Sequence, residues 1–519
     1  MLIDSESDEP PVEPPALPPQ FEPAQAAAVP ERRPEVIDYG EYKLVVCGSQ
    51  RGADKLVGPG GFTYNVHSKS QSSKTWQCTF RPRGNVCKAR VHQRFVNARH
   101  ANFTATRIPH SCPPGHKRSV ADMVVISKAK AAAVKSVGKS ASSLFEEEEM
   151  EYHKIAGVYT NMDPRLSANR INKHRQGLRP NEPTTTDFDY DENFLPGFKV
   201  ATVRAGGEVA HIFSTDLQLA YLTSVRTWYC DATFSVVGPP FKQLWTITGH
   251  VRRPADQGQQ RLREEKINTY LLYAIMSGKS QALYREIIKA VLRRLVARNQ
   301  PIRVNHVVLD FERAAWNAVR EAFMQMDIEM PRVRGCVFHW CQALYRKIIG
   351  CGLANCYKGK SEEGRFLRRL MGLPLIPSEA VWDIVQWFHS NAPTQNHKKV
   401  TEYILKTYVC EGALFKTREW SGYRILHRTN NACESNHHRL NAQTSKNLGF
   451  YRLVAVLHKE SERFAAQATH VSEGQLRQRI RSQTKSRDRQ LIEAWDQHAR
   501  QEIDDFQLLN KVHSSYRPT

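Results

Sequence analysis

Hydrophobic and polar positions change their spacing along the chain, and each change predicts a different kind of element. Between Tyr42 and Cys112, short runs such as KLVVC, FTYNVHS, TWQCTF and KARVHQRFV alternate apolar with polar residues and are separated by Gly, Ser and Asn. A period of two is typical of half-buried strands. The segment is therefore predicted to be a small β module, of a size at which a structural metal often completes the fold.

A second pattern begins near residue 197 and continues to residue 349. The runs TWYCDATFSVV, FKQLWTITGHV and INTYLLYAIMS predict three strands in succession, and IRVNHVVLDFE and VRGCVFH predict two more, each preceded by a helix. Three consecutive strands followed by alternating helices and strands are what a ribonuclease H-like core needs. A Rossmann domain would alternate from its start and carry a G-x-G-x-x-G turn, which the sequence lacks.

The remaining segments complete a multidomain α+β organisation. The first 40 residues contain nine prolines, nine acidic residues and two basic ones, which predicts disorder. Seven segments follow one another: a disordered acidic tail (1–40), a zinc-stabilised β finger (41–115), a basic linker with a helical DNA-binding region (116–196), the first part of an RNase H-like α/β core (197–349), an all-α insertion (350–425), a core helix with a third acid (426–470) and a charged helical tail (471–519).

Charge indicates the class of partner. The chain has 74 Lys and Arg against 52 Asp and Glu, a formal net charge of +22, which favours a polyanion such as nucleic acid over a membrane. No window approaches the roughly 18 apolar residues of a membrane span, and the acidic start does not resemble a signal peptide. We therefore expect an intracellular protein without a membrane partner, in which eleven sparse cysteines serve as core residues or metal ligands.

Two aspartates occupy unusual positions in the predicted core. Asp231 lies in the middle of an apolar strand, where a carboxylate is costly unless something binds it, and Asp310 ends another strand. On adjacent strands the two would share a divalent cation. Glu434 is the candidate third acid, with His437 one turn later on a predicted helix. Asp310 could instead cap the next helix, Glu434 could be an ordinary surface residue, and Glu312 is expected to be a helix-start acid.

Four motifs carry a family resemblance. CDATF, LDFERAAWNAV, GCVFHWCQALYRKI and RTNNACESNHHRLN resemble, in order and spacing, the successive motifs of Mutator-like element (MULE) transposases over about residues 197 to 467. The resemblance implies a DDE catalytic core on a ribonuclease H-like fold, with an α-helical insertion before the third acid. It assigns the triad to Asp231, Asp310 and Glu434, which would bind Mg²⁺ or Mn²⁺ as a two-metal clamp.

The same family carries a C-x-x-H element, matched here by Cys336 and His339. Cys341, Cys351 and Cys356 could complete a zinc site with this pair, but their spacing follows no known finger, and small buried cysteines are the commoner case. We expect a structural or DNA-handling role for the element.

Cysteine and histidine also mark the β module. The ligand set that zinc requires is provided by Cys78, Cys87, His110 and Cys112. With FTYNVHS, TWQCTF, CKARV and PHSC in this order, the segment resembles FLYWCH-type zinc fingers, relatives of WRKY domains that insert a β-sheet into the DNA major groove. The usual FLYWCH ending is H-x-H, so Cys112 replaces the last histidine and leaves His116 as a rival ligand. Cys47 lies outside the pattern.

Basic residues on the predicted strands of this module are candidates for DNA contacts. They are Arg81, Arg83, Lys88, Arg90 and Arg94.

Together these features predict a nuclear DNA transposase that binds terminal inverted repeats and performs metal-dependent strand cleavage and strand transfer. Zn²⁺ would be held by the finger, and double-stranded DNA would be the partner, with assembly into a homodimer or higher oligomer left open. The first alternative is a domesticated, sequence-specific DNA-binding transcription regulator without cleavage activity. A nuclease on the same fold is the second alternative.

Overall fold

The structure, a computed structural model, describes most of the chain. The described residues are 36–46, 48–49, 53–81, 86–96, 100–113, 120–136, 139–252, 266–425, 431–444, 446–472 and 482–513. They fall into two compact units. We call the described part of 36–182 the N-terminal unit and the described parts of 183–442 and 446–513 the C-terminal unit, and each is considered by itself.

The N-terminal unit combines strands with a group of helices. Its strands are β1 (Val36–Asp38), β2 (Lys43–Val45), β3 (Lys55–Val57), β4 (Thr63–Lys69), β5 (Ser73–Cys78), β6 (Arg90–Phe95) and β7 (Ala101–Ala105), and its helices are α1 (Val120–Lys135), α2 (Ala141–Ala156) and α3 (Pro164–Gln176). Each strand pairs with the next one in the chain, so the sheet is an antiparallel meander in the order β1 to β7.

Both faces of this sheet are covered at β2 and β3. Successive side chains of a strand point to opposite faces. Leu56 accordingly joins Trp76 in the buried core of the β module, whereas Val57 packs with Met123 and Val124 of α1. The connection after the β module therefore begins with a helix that shares a core with the sheet.

Helices α1, α2 and α3 pack around a core of their own, which includes Val125, Leu144, Phe145 and Ile171. The sequence pattern predicted a linker with a weak helix here, because the alanines of α1 give it little amphipathic contrast. In the structure these small residues allow close packing of helices. Arg175 of α3 is buried and donates hydrogen bonds to the carbonyl oxygens of Ala133, Ser136 and Lys139, at and just after the end of α1.

The C-terminal unit is larger and is also mixed α and β. Its first elements are β8 (Lys199–Ala205), β9 (Glu208–Phe213), α4 (Asp216–Ser224), β10 (Thr227–Thr233), β11 (Gln243–Arg252), β12 (Lys266–Met276), α5 (Gln281–Val296), β13 (His306–Leu309), α6 (Arg313–Gln325), β14 (Arg332–Gly335) and α7 (Val337–Gly350). The elements that follow are helical: α8 (Ala354–Lys358), α9 (Glu362–Leu370), α10 (Val381–Ser390), α11 (Gln395–Ile404), α12 (Thr417–Trp420), α13 (Asn431–Gln443), α14 (Phe450–Ser472), α15 (Ser482–Ala499) and α16 (Asp505–Val512).

The strands of this unit form one sheet in the order β14-β13-β10-β11-β12-β9-β8. Strands β10, β11 and β12 are consecutive antiparallel neighbours, as their short connections predict, and β13 and β14 add to β10 in parallel, each after a helix. The β8–β9 hairpin extends the sheet beyond β12. The chain as a whole is thus a mixed α+β protein.

The two faces of this sheet have different neighbours. Trp228 of β10 points toward α6, where it meets Phe323. Tyr229, on the opposite face, is buried with Cys433 of α13. Asp231 shares the face of Tyr229 because it lies two residues along the same strand. In the part of the chain that the structure describes, no helix has the length and apolar character needed to cross a membrane.

Candidate metal centre and acidic site

Four potential metal ligands meet at one end of the meander. Cys78 is the last residue of β5 and Cys87 lies in the connection that leads to β6, while His110 and Cys112 follow β7. Because β5, β6 and β7 are adjacent in the sheet, the antiparallel pairing brings residues distant in sequence to the same place. Their ligand atoms all lie within 4.8 Å of one another.

The separations match a tetrahedral zinc site. The Sγ atoms of Cys78 and Cys112 are 3.6 Å apart, and Nδ1 of His110 lies 3.5 Å from Sγ of Cys87 and 3.4 Å from Sγ of Cys112. With Zn–S near 2.3 Å and Zn–N near 2.0 Å, a tetrahedron places two sulfurs about 3.8 Å apart and a sulfur and a nitrogen about 3.6 Å apart. Three thiols and one imidazole at these distances fit Zn²⁺.

The imidazole of His110 is held in the orientation that this geometry requires. Its Nε2 lies 2.8 Å from the hydroxyl oxygen of Tyr64, and its ring stacks on Phe62 with the ring centroids 3.7 Å apart. A hydrogen bond at one ring nitrogen determines which nitrogen can bind a metal. The contact with Tyr64 at Nε2 therefore points Nδ1 toward the sulfurs.

The three thiols differ in how easily they ionise. Burial raises the pKa of Cys78, and burial together with the neighbouring thiols raises the pKa of Cys112 to about 12. Burial also opposes ionisation of Cys87, but backbone N–H groups of Ala89 and Ser111 outweigh it and lower its pKa to about 7. Zinc binds thiolates, so a bound ion would favour the loss of protons from Cys78 and Cys112.

Comparison with known families agrees with this geometry. Residues 46–110 match the FLYWCH zinc finger domain. The match ends at His110, so Cys112 lies two residues beyond it and completes the ligand set in the structure. No curated protein and no solved structure matches the chain. The FLYWCH finger identifies a zinc-finger protein and indicates nucleic-acid binding.

The FLYWCH finger presents a polar face on β6. Arg90, His92 and Arg94 alternate along this strand with the buried Val91 and Gln93. Such alternation places the basic residues together on the outer side of the sheet, where phosphate groups could reach them.

The other basic candidates differ in their surroundings. Lys88 is exposed in the connection before β6. Arg81 is also exposed, but its guanidinium donates hydrogen bonds to the carbonyl oxygens of Phe80 and Cys87, which ties it to the metal centre. Arg83, Cys47 and the rival ligand His116 lie outside the described residues.

In the C-terminal unit the sheet places two acids side by side. Tyr229 of β10 pairs with Val308 of β13, and Asp231 and Asp310 each lie two residues farther along. The parallel register therefore puts their carboxylates on the same face of neighbouring strands. Asp231 is buried, with 7% of its surface exposed.

Helix α13 brings Glu434 and His437 to this place. Nδ1 of His437 lies 3.3 Å from a carboxylate oxygen of Asp231, and its Nε2 lies 3.2 Å from the hydroxyl of Thr246. Nε2 of His339, on α7, lies 3.9 Å from Asp231 and 3.8 Å from Glu434. The carboxylates of Asp231 and Glu434 therefore lie within the roughly 8 Å span that a two-metal site requires.

Burial and neighbouring charges raise the pKa values of Asp310 and Glu434. Burial, with the charges of Glu312 and Asp231, raises the pKa of Asp310 to about 7. Burial and the charge of Asp231 raise the pKa of Glu434 to about 8. Burial lowers the pKa of His339 despite the opposing charge of Asp231, so this imidazole is neutral at pH 7. The acidic site thus contains repelling carboxylates, and among the described side chains the basic groups within 4 Å of Asp231 are the imidazoles of His339 and His437.

The two residues of the C-x-x-H element have different surroundings. Cys336 precedes α7 and is buried with Tyr229, Val308 and Cys433. His339, one turn later, faces the acids. Among the described residues, the finger ligands form the group of three or more potential ligands that lie within 4.8 Å of one another, and Cys336 is outside it. The other cysteines of this region, Cys341, Cys351 and Cys356, are outside it as well.

A polar chain beside Asp310 escaped the sequence analysis. Glu312 accepts a hydrogen bond from the Tyr284 hydroxyl at 3.2 Å, and Tyr284 in turn accepts one from the Gln243 amide at 2.9 Å. Lys279 lies 3.9 Å from Glu312. Glu312 was expected to be a helix-start acid; it precedes α6, but its side chain makes no capping hydrogen bond there. In the sequence, only the spacing of two residues between Asp310 and Glu312 indicated that the two side chains lie close together.

Proposed function

We propose that this protein is a DNA transposase of the MULE type, whose FLYWCH finger binds terminal inverted repeats and whose C-terminal unit cleaves and joins DNA strands. The observation that supports the proposal is the position of Asp231 and Asp310 at neighbouring strands, with Glu434 of α13 near Asp231. The element order of that unit supports it, since three antiparallel strands followed by alternating helices and parallel strands are what a ribonuclease H-like DDE core needs.

The residues of the acidic site suit a divalent cation. Asp231, Asp310 and Glu434 would hold Mg²⁺ or Mn²⁺, which activates an attacking water or hydroxyl group and stabilises the leaving oxygen in phosphodiester displacement. The neutral imidazole of His339 lies between Asp231 and Glu434. His437 orients the Asp231 carboxylate, and Thr246 holds the other nitrogen of the His437 ring.

The basic surface of the chain supports DNA as the substrate. Its net charge of +22 favours a polyanionic partner, and the outer face of β6 offers guanidinium groups for phosphate contacts. Under this proposal the protein acts in the nucleus, as a homodimer or higher oligomer that holds two DNA ends.

The test is incubation of the purified full-length chain with end-containing DNA and Mg²⁺ or Mn²⁺. We expect strand transfer products. Hydrolysis alone would indicate a nuclease, and binding alone would indicate a domesticated regulator. Asp231→Asn and Asp310→Asn should abolish cleavage while DNA binding persists, whereas Asp383→Asn, at an exposed carboxylate of α10, should leave both unchanged.

A further inference from the structure

Strand β14 carries two arginines that nothing in the described fold neutralises. Arg332 and Arg334 lie two residues apart, so they project from the same face of this edge strand. Neither guanidinium group makes a hydrogen bond or an ion pair with any residue that the structure describes, although the backbone of the strand pairs with β13. Burial and the charge of Arg332 lower the pKa of Arg334 to about 10. Arg332 is exposed and Arg334 is half-buried, so the uncompensated charge of Arg334 opposes folding, which indicates that the pair serves an external anion.

The surroundings of this pair leave room for such an anion. A cavity of about 650 Å³ opens at the β14 edge of the sheet, beside α6 and α12, and its lining includes both arginines and Arg418. Two acids also line the cavity, but each is already engaged: Glu419 pairs with Arg320 at 2.7 Å, and Glu321 pairs with Arg285 at 3.1 Å. The cavity wall therefore keeps a surplus of positive charge.

The strand register places Arg332 and Arg334 close to the acidic site. Val308 pairs with Tyr229 on one side and with Arg334 on the other, so these three residues form one row across the sheet. Asp231 and Asp310 stand two residues farther along their strands, on the same face. One such step is about 7 Å, since a strand rises about 3.3 Å per residue.

We propose that Arg332 and Arg334 bind phosphates of the DNA backbone and hold the strand beside the acidic site. The ligand class, a phosphodiester chain, follows from the planar guanidinium fork, which matches phosphate oxygens in pairs. The proposal rests on the proposed function in taking DNA as the substrate. It adds a second nucleic-acid contact, within the C-terminal unit and separate from the FLYWCH finger.

The experiment measures the salt dependence of duplex DNA binding by the full-length chain in buffer without Mg²⁺ or Mn²⁺. For the double variant Arg332→Gln, Arg334→Gln we expect the slope of log K against log salt to decrease in magnitude by about 2, because each lost phosphate contact removes about 0.9. At 0.1 M salt this corresponds to a loss in affinity of roughly 10- to 100-fold. Arg334→Lys should keep most of the slope because it retains the charge.

Arg293→Gln is the matched control, since Arg293 is exposed on α5 and has no partner among the described residues. It should not change the slope. Thermal unfolding separates binding from folding: removing an uncompensated charge should leave the melting temperature equal or higher. An unchanged slope in the double variant would overturn the proposal, as would a fall of several degrees in its melting temperature. If the double variant has a reduced slope but the wild-type protein never cleaves DNA, the phosphate contacts of Arg332 and Arg334 would be supported and the transposase activity would not.

Discussion

The two candidate sites handle buried ionisable groups in opposite ways. In the FLYWCH finger, four ligand atoms lie within 4.8 Å of one another and their number and type match one zinc ion. In the acidic site, burial and the repulsion between carboxylates raise the pKa values of Asp310 and Glu434. A closed set of soft ligands is typical of structural zinc, whereas separated carboxylates leave positions open for water or substrate. The first arrangement suits a structural ion, and the second is the arrangement that the proposed catalysis requires.

Loss of a finger ligand should have the largest effect. Cys78→Ser removes one of four ligands, and because structural zinc contributes folding free energy directly, we expect loss of bound zinc and unfolding of the sheet β1 to β7. The C-terminal unit should stay folded. Zinc content and limited proteolysis measure the two effects. Cys410→Ser, at a half-buried cysteine far along the chain, is the control and should retain zinc. A variant at Cys78 that still holds zinc and resists proteolysis would contradict the assignment.

Separation of the two units should have the next largest effect. Deletion of residues 1–182 removes the whole N-terminal unit, including α1, whose Met123 and Val124 share a core with the β module. We expect the remainder to lose preference for transposon ends while it retains metal-dependent nicking of generic DNA at low salt. A deletion that stops at residue 115 would leave Met123 and Val124 exposed and should aggregate more. Nicking of end-containing and scrambled duplexes measures the preference, and a truncated protein that still prefers the ends would place recognition in the C-terminal unit.

Proton competition should distinguish the acidic site from the finger. Because Asp310 and Glu434 have pKa values of about 7 and about 8, both hold protons at pH 6 and both are ionised above pH 8. Affinity for Mn²⁺ should therefore increase between pH 6 and pH 8, by up to roughly 100-fold per pH unit where two protons are displaced. Without metal the sign is opposite: a raised carboxyl pKa stabilises the fold at low pH, and this stability is lost as pH rises through 7 to 8.

Titration calorimetry with Mn²⁺ at several pH values measures the first effect, and thermal unfolding measures the second. Glu434→Gln should remove the step near pH 8 from both, whereas Glu329→Gln, at an exposed carboxylate, should remove neither. Mn²⁺ affinity that does not change with pH would show that these carboxyl groups are not the ligands.

A single surface arginine of the finger should have the smallest effect. Arg94 is exposed on the outer face of β6. Its replacement by Gln should remove about one phosphate contact and reduce the salt slope of DNA binding by about 0.9, without loss of zinc. Fluorescence anisotropy at several salt concentrations measures the slope. Arg107→Gln is an exposed control beyond β7, and equal slopes for the two variants would count against a special role of the β6 face.

The sequence by itself predicted the β module, the strand order of the larger sheet's centre and most of the candidate site residues. Period-two alternation between Tyr42 and Cys112 predicts the strands of the β module, because a strand that buries one face must alternate. The zinc ligands could be named because thiols and imidazole at such spacings have few other uses in so small a module, and the FLYWCH match supports them. Asp231 could be named because a charge inside an apolar strand needs a partner.

Tertiary structure alone decided how residues distant in sequence meet. The sequence left His116 as a rival to Cys112, whereas in the structure the segment after β7 returns to the end of β5 and places Cys112 beside Cys78. The role of α1 as a core helix depends on what covers its alanines, and a helix with little amphipathic contrast does not reveal its buried face. His339 faces the acids while Cys336 is buried beneath them, and Arg334 stands one row from Asp231, because strand register, a long-range property, sets which side chains share a face.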